Sequence, residues 1–180
     1  MTTERLATLL NDVGVAISKR QVVRLLTTEL DGFVAEDAAV LHAGLVSSPY
    51  VTVDDTGARH AHGNFYTTQI GGEHFTAFRT APSKSRVNFL ALLRGNYSDY
   101  VLNDAAFAYL DHRHGMDPAL VARLRTRQPL RFSNQVPFLQ YLASKGIDIF
   151  DKDAIRVIAE TGIWGAIRHH GLLGRHGDRL

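Results

Sequence analysis

The chain is 180 residues long, 45% hydrophobic and 21% charged, with a formal net charge of +2. That length suits one domain, or one domain with a small appendage, and the balance is that of a globular protein rather than a disordered or fibrous one. The absence of cysteine excludes a disulfide scaffold, thiolate zinc sites and a cysteine nucleophile together.

Residues 1–48 read as helical. Leu6, Leu9, Leu10 and Val13 recur at helical spacing until Gly14 interrupts them. Ser18 is placed to cap a second helix whose expected buried face is Val22, Val23, Leu25 and Leu26. Asp31-Gly32 is expected to break it, and a third helix follows through Phe33, Ala38, Leu41 and Leu45. The period then changes. Residues 50–54, 65–70 and 74–79 are rich in β-branched and aromatic side chains and predict three antiparallel strands. Thr56-Gly57 through Gly63 would join the first two, and Gly71-Gly72 would make a two-residue hairpin turn before the third.

After Pro82 the helical period returns. Val87, Leu90, Ala91 and Leu93 mark one helix, closed by Gly95, while residues 97–103 suit either a short strand or a loop. Further helices are expected over 104–112, from Asp117-Pro118 through Leu124, over about 134–145 with Gly146 as the stop, and from Asp151 through Trp164 and Ile167. No run approaches the ~18–20 apolar residues of a membrane helix, so no membrane association is expected. The polar start, Met1-Thr2-Thr3-Glu4-Arg5, lacks an apolar signal region, and the cytoplasm is the expected compartment. The class is α+β, and three strands among so much helix are few.

Of the 20 basic residues, 16 are arginine. Arginine suits phosphate, but a GC-rich genome produces the same bias, and +2 is too small a charge to announce nucleic acid.

The most informative stretch is Val53-Asp54-Asp55-Thr56-Gly57, an apolar strand running into paired carboxylates. A carboxylate buried at a strand end is costly unless a cation pairs with it, and Mg²⁺ is a natural partner for such oxygens. The plain alternative is an Asp that caps a turn.

This stretch resembles the first strand of the catalytic core of DDE-type transposases, in particular bacterial insertion-sequence transposases whose first motif reads Asp-acid-Thr. Leu9-Leu10-Asn11-Asp12-Val13-Gly14-Val15-Ala16-Ile17-Ser18-Lys19-Arg20-Gln21-Val22-Val23-Arg24-Leu25-Leu26 resembles the segment preceding that core, and Ser83-Lys84-Ser85-Arg86-Val87-Asn88-Phe89-Leu90 resembles the segment after its third strand. The likeness covers roughly residues 5–170. It implies a ribonuclease-H-like fold that opens with three antiparallel strands and continues through a helix to a strand carrying a second acid. It also implies a third acid on a later helix and two Mg²⁺ or Mn²⁺ ions for attack on a phosphodiester. DNA, at the ends of an insertion sequence, would be the partner, and a homo-oligomer is compatible with it. On this likeness the regions are a helical 1–48, the meander and first helix of an incomplete ribonuclease-H-like core at 49–98, and a helical insertion, cut short, at 99–180.

Carried over, the first catalytic acid and metal ligand falls on Asp54, with Asp55 beside it. Two accounts stand for Asp104: a second catalytic acid after a short strand, or the N-cap of a helix. Under the second account the family's second acid belongs to a later Ser-Asp-Asp-Ala-Gly-like motif, followed by a Cys-Trp-x-His segment, which this sequence does not contain. Glu160 lies on a helix without a defensible spacing to the other acids. Leu172-Leu173 should lead into a buried strand, yet Gly174-Arg175-His176-Gly177-Asp178-Arg179-Leu180 follows, as a frameshifted or prematurely ended reading frame would produce. One carboxylate cannot assemble a two-metal site, so the chain alone is expected to be inactive.

Other residues offer other chemistry. His60 and His62 share one face of an extended segment, and His112 and His114 repeat the spacing. With Asp54 the first pair could serve an unrelated metal enzyme, though solvated turn histidines explain them as well. His169-His170 near a helix end is expected to meet the terminal carbonyls. Residues 14–26 loosely resemble a helix-turn-helix, with Lys19, Arg20, Gln21 and Arg24 on the second helix. Arg123, Arg125, Arg127 and Arg131 form the densest basic run. Either set would serve DNA phosphates, and a non-catalytic DNA-binding or protein-interaction module is the alternative to a transposase.

Overall fold

The computed structural model describes residues 2–60, 63–113, 116–125 and 129–174, with the backbone alone for His60. The described residues form eight helices and five strands, an α+β protein. They divide into two compact units, Met1–Ala39 and Val40–Leu180.

The first unit holds α1 (Thr3–Asp12), α2 (Lys19–Thr27) and the beginning of α3 (Asp31–Ser47). Ser18 caps α2 as expected, in a capping box with Gln21. The α2 helix ends before Gly32: Thr28 is its C-cap, Glu29 takes a positive φ of 57°, and Gly32 lies inside the first turn of α3. The expected apolar face of α2 is mostly not covered. Val22 is 2% exposed, whereas Val23, Leu25 and Leu26 are exposed. A unit this small has too little mass around a nine-residue helix to bury more than one side of it.

The second unit is built around α8 (Lys152–His169), in which residues 160–167 are all buried. A helix buried on nearly every side must be apolar or carry satisfied polar groups. Ile158, Ile163 and Ile167 supply the first, and Thr161, whose hydroxyl donates to the Val157 carbonyl, supplies the second. Around it are α4 (Arg86–Leu93), α5 (Asp104–Asp111), α6 (Pro118–Leu124) and α7 (Gln135–Ser144). Their caps are Ser85, Asn103, Asp117 and Asn134, of which Asp117 and Asn134 stand at the expected helix starts.

A three-stranded sheet runs in the order β1 (Thr52–His60), β2 (Gly63–Gly71), β3 (Thr76–Ala81), antiparallel throughout. The expected meander is present with different ends. The β1 strand does not stop at Asp54: Thr56 pairs with Thr67 and Gly57 with Tyr66, so the anticipated Thr-Gly turn is mid-strand. The turn between β2 and β3 is longer than two residues, with the Gly72 amide donating to the Phe75 carbonyl. Bulk explains the glycines here. The Phe75 ring lies where a Cβ on Gly44 would come within 2.4 Å and one on Gly72 within 2.8 Å.

A second sheet pairs β4 (Tyr100–Leu102) with β5 (Leu130–Phe132). The β4 strand resolves the strand-or-loop ambiguity at 97–103, and β5 had no sequence signal, because three residues are too few to show a period of two. The α8 helix lies directly against β4. A Cβ on Gly165 would sit 2.0 Å from the Val101 carbonyl oxygen, and one on Gly162 would sit 3.0 Å from the Tyr100 ring. Leu172 and Leu173 do not enter a strand. They are buried after α8, where the Leu173 amide donates to the Leu45 carbonyl; residues 175–180 lie outside the described residues.

Candidate functional site

Strand alternation sorts the two adjacent acids onto opposite faces. Asp55 shares a face with Thr68 and Arg79 across the sheet, in line with buried Ile70 and Ala77. Asp54 shares the other with Gln69 and Phe78, and Phe78 is 60% exposed. The Thr68 hydroxyl donates to Asp55 Oδ1 at 2.5 Å, tying that carboxylate down. Asp54 is exposed, so its carboxylate keeps its hydration. The anticipated cost of burying it at a strand end does not arise, and no cation is needed to offset one.

Asp104 is the first residue of α5 and is exposed. It is not the cap. Asn103 takes that position, accepting from the Ala106 amide at 2.9 Å while its own amide donates to the Gly165 carbonyl at 3.1 Å. An amide can donate and accept at once, which a carboxylate cannot, and that is why Asn rather than Asp serves at this junction. The β4 strand before Asp104 pairs with β5 and belongs to a different sheet from β1.

Among the described residues no three His, Asp or Glu side chains gather as a metal site would require. Asp54 supplies one oxygen donor set, and Asp55 faces away with Thr68 on it. These residues by themselves do not fit a two-metal centre. The side chain of His60, and all of His62 and His114, lie outside the described residues. His112 Nδ1 lies 2.7 Å from the Ala108 carbonyl, within its own helix.

Most of the basic residues singled out in the sequence have protein partners. Lys19 pairs with Glu4. Arg123 Nη1 donates to the Gly146 carbonyl at 3.2 Å, just beyond the C-cap of α7. Arg125 donates to both oxygens of Asp111 at 2.6 Å. Arg127 lies outside the described residues. Arg20 and Arg24 are exposed on α2, beside a groove of about 420 Å³ that also involves Ser18, Gln21, Val23, Thr27 and Thr28.

Two buried polar clusters stand apart from these positions. In the first, Glu160 of α8 has a side chain 1% exposed, accepts from the Tyr109 hydroxyl at 2.9 Å and forms an ion pair with Arg113 Nη2 at 3.2 Å. Arg86 Nε donates to the Tyr109 oxygen at 2.8 Å. Burial raises the Tyr109 hydroxyl above its ordinary pKa, and the hydrogen bond and charge of Glu160 add to it.

In the second, Asp99 is 4% exposed. His170 Nε2 lies 3.0 Å from each of its oxygens, and Arg131 Nε donates to Oδ2 at 2.8 Å. The expected contact of His170 with helix-end carbonyls is therefore replaced by one to a carboxylate 71 positions away. Tyr97 stacks on the His170 ring at 3.5 Å and 7°. Burial works to raise the Asp99 carboxyl, but the hydrogen bonds and charges of His170 and Arg131 outweigh it and hold it below the usual value. Sequence alone carried little sign of this cluster, since Asp99 sits in an irregular stretch and its partners are remote.

No family model matches the chain, and no solved structure matches it. The chain is similar to the uncharacterized protein y4jO of Sinorhizobium fredii (strain NBRC 101917 / NGR234), with 74% identity over 135 residues. The match takes in 75% of this chain and 42% of that protein, so the chain spans less than half the length of this curated relative.

Proposed function

We propose that this chain is a portion of a DDE-type insertion-sequence transposase, in which Asp54 is the first catalytic acid and DNA is the partner. The supporting observation is the position of Asp54 on β1. That strand opens an antiparallel meander, Asp54 stands on its exposed face, and among the described residues the strand pairs only on its β2 side. A ribonuclease-H-like core opens with such a meander, and an unpaired edge is a template for a further strand. The described acids do not complete a metal site. The remaining carboxylates would come from elsewhere in the whole protein, with Mg²⁺ or Mn²⁺ bound only then.

The test is made on the chain as it stands. Mn²⁺ should broaden amide resonances around Asp54, weakly and without saturation, and Asp54→Asn should abolish this. Supercoiled plasmid with Mg²⁺ or Mn²⁺ should remain uncut. Broadening that ignores the Asn substitution removes Asp54 from the proposal. Metal-dependent nicking lost in Asp54→Ala would instead show that the chain is active unaided.

A non-catalytic DNA-binding module is the second reading, favoured by exposed Arg20 and Arg24 beside the α2 groove. It predicts binding that needs no metal and falls steeply with salt. Arg20→Ala with Arg24→Ala would reduce that binding and flatten its salt dependence.

A further inference from the structure

A cleft of about 510 Å³ opens beside the second buried cluster, lined by Asn96, Tyr97, Ser98, Asp99, Arg131 and Ser133. We propose that it binds a phosphate group, anchored by the Nη edge of Arg131, with the hydroxyl of Ser133 and the amide of Asn96 as further donors.

The first support is the way Arg131 is held. It lies at the centre of β5, opposite Val101, and its side chain is 58% exposed. Its Nε is engaged by Asp99, which is buried and is itself held by His170. The guanidinium plane is thereby fixed without ligand, so little rotamer freedom is lost on binding. Neither Nη nitrogen has a hydrogen-bond partner among the described residues. These two donors form the edge that reads phosphate oxygens in parallel.

The second support is the state of Asp99. A carboxylate lining a cleft would ordinarily repel an anion. Here His170 Nε2 contacts both of its oxygens and Arg131 Nε contacts one. Arg94 Nη1 adds a donor to the Asp99 main-chain carbonyl at 2.7 Å. The carboxylate acts as a positioning group for Arg131, and its oxygens are already occupied by donors, which leaves it poorly placed to bind a cation.

The third support is the remaining wall. Ser98 spends its hydroxyl on the Ser133 carbonyl at 3.1 Å, which holds the two loops together. The Ser133 hydroxyl and the Asn96 side chain remain available to donate to a ligand. The cleft is larger than one phosphate, so a phosphoester is accommodated as well as the free ion. This inference does not rest on the transposase reading.

The experiment is an amide and Arg Nε–H NMR titration of the full chain at constant ionic strength. The probes are inorganic phosphate, the phosphodiester thymidylyl-thymidine, and acetate. Saturable shifts at Arg131 Nε–H, Ser98 and Ser133 are expected with a phosphate-bearing probe. Saturation by phosphate alone identifies a free-phosphate site, and saturation by the dinucleotide identifies a phosphoester site. Arg131→Lys keeps the charge but loses the fork, and should weaken binding about ten-fold or more. Arg131→Gln should abolish it, and Ser133→Ala, which leaves the buried cluster intact, should weaken it. The proposal is overturned if neither phosphate probe saturates, if acetate matches them, or if Arg131→Gln binds like the parent. Phosphate binding with no binding of duplex DNA would leave this site standing and count against the DNA reading. Duplex binding indifferent to Arg131→Gln, without phosphate shifts, would do the reverse.

Discussion

Tyr109 of α5 donates its hydroxyl to Glu160 of α8 at 2.9 Å, inside the packed interior of the second unit. The ring stacks on Trp164 with centroids 5.8 Å apart, and the same oxygen accepts from Arg86 at 2.8 Å. One hydroxyl therefore links α4, α5 and α8 through a carboxylate that water does not reach.

Removing that hydroxyl leaves Glu160 short of a donor and Arg86 short of an acceptor. Tyr109→Phe should destabilise the protein by about 1–3 kcal/mol, the cost of an unsatisfied buried polar partner. Glu160→Gln should cost more, roughly 3–5 kcal/mol, because it strands Arg113 beside a neutral group. Urea denaturation of the three proteins under one set of conditions measures both.

The same residue predicts loss of stability in alkali. The folded-state pKa of Tyr109 lies above the ordinary value near 10. Its contribution is fully present below about pH 10 and is lost as pH rises through the higher folded value. Tyrosinate absorbance should show late-titrating tyrosine, to which Tyr141, raised by burial, also contributes, and the Tyr109 component should be missing from Tyr109→Phe.

Asp99 predicts the opposite dependence. Its folded-state pKa is held below the ordinary value, so its contribution is present above about pH 3.9 and is lost as pH falls through the folded value. Asp99→Asn should show a shallower decline in urea midpoint between about pH 5 and pH 3 than the parent. Parallel curves for the two proteins would remove Asp99 from the acid response.

Glycine at 165 is required by contact with backbone. A Cβ there would sit 2.0 Å from the Val101 carbonyl oxygen, so Gly165→Ala should cost about 1–3 kcal/mol by forcing α8 off β4. Gly57 in β1 meets nothing within 4 Å and has no positive φ. Gly57→Ala should leave the melting temperature nearly unchanged, and a comparable fall in both variants would contradict this contrast.

Local chemistry determined much of the framework from sequence. Ser18, Asp117-Pro118, Asn134 and Asp151 mark helix starts because a short side-chain acceptor next to a helical run satisfies the first free amides. The change from a helical to a strand period marked the meander, since both signals lie within a few neighbouring residues. The tertiary structure decided what depends on remote partners. It continued β1 through Asp54 to His60 by pairing it with β2, and so turned Asp54 to the face of exposed Phe78 and Asp55, itself exposed, to the face of Ile70 and Ala77. It made Asn103 the cap at α5, where the same side chain also donates to the Gly165 carbonyl of α8. It also brought Asp99, Arg131 and His170 together from three separate segments. Capping and periodicity act over one or two turns of chain and can be read from neighbours. Register, burial and ion pairing are settled by which segments meet in space, and that is fixed only when the core packs around α8.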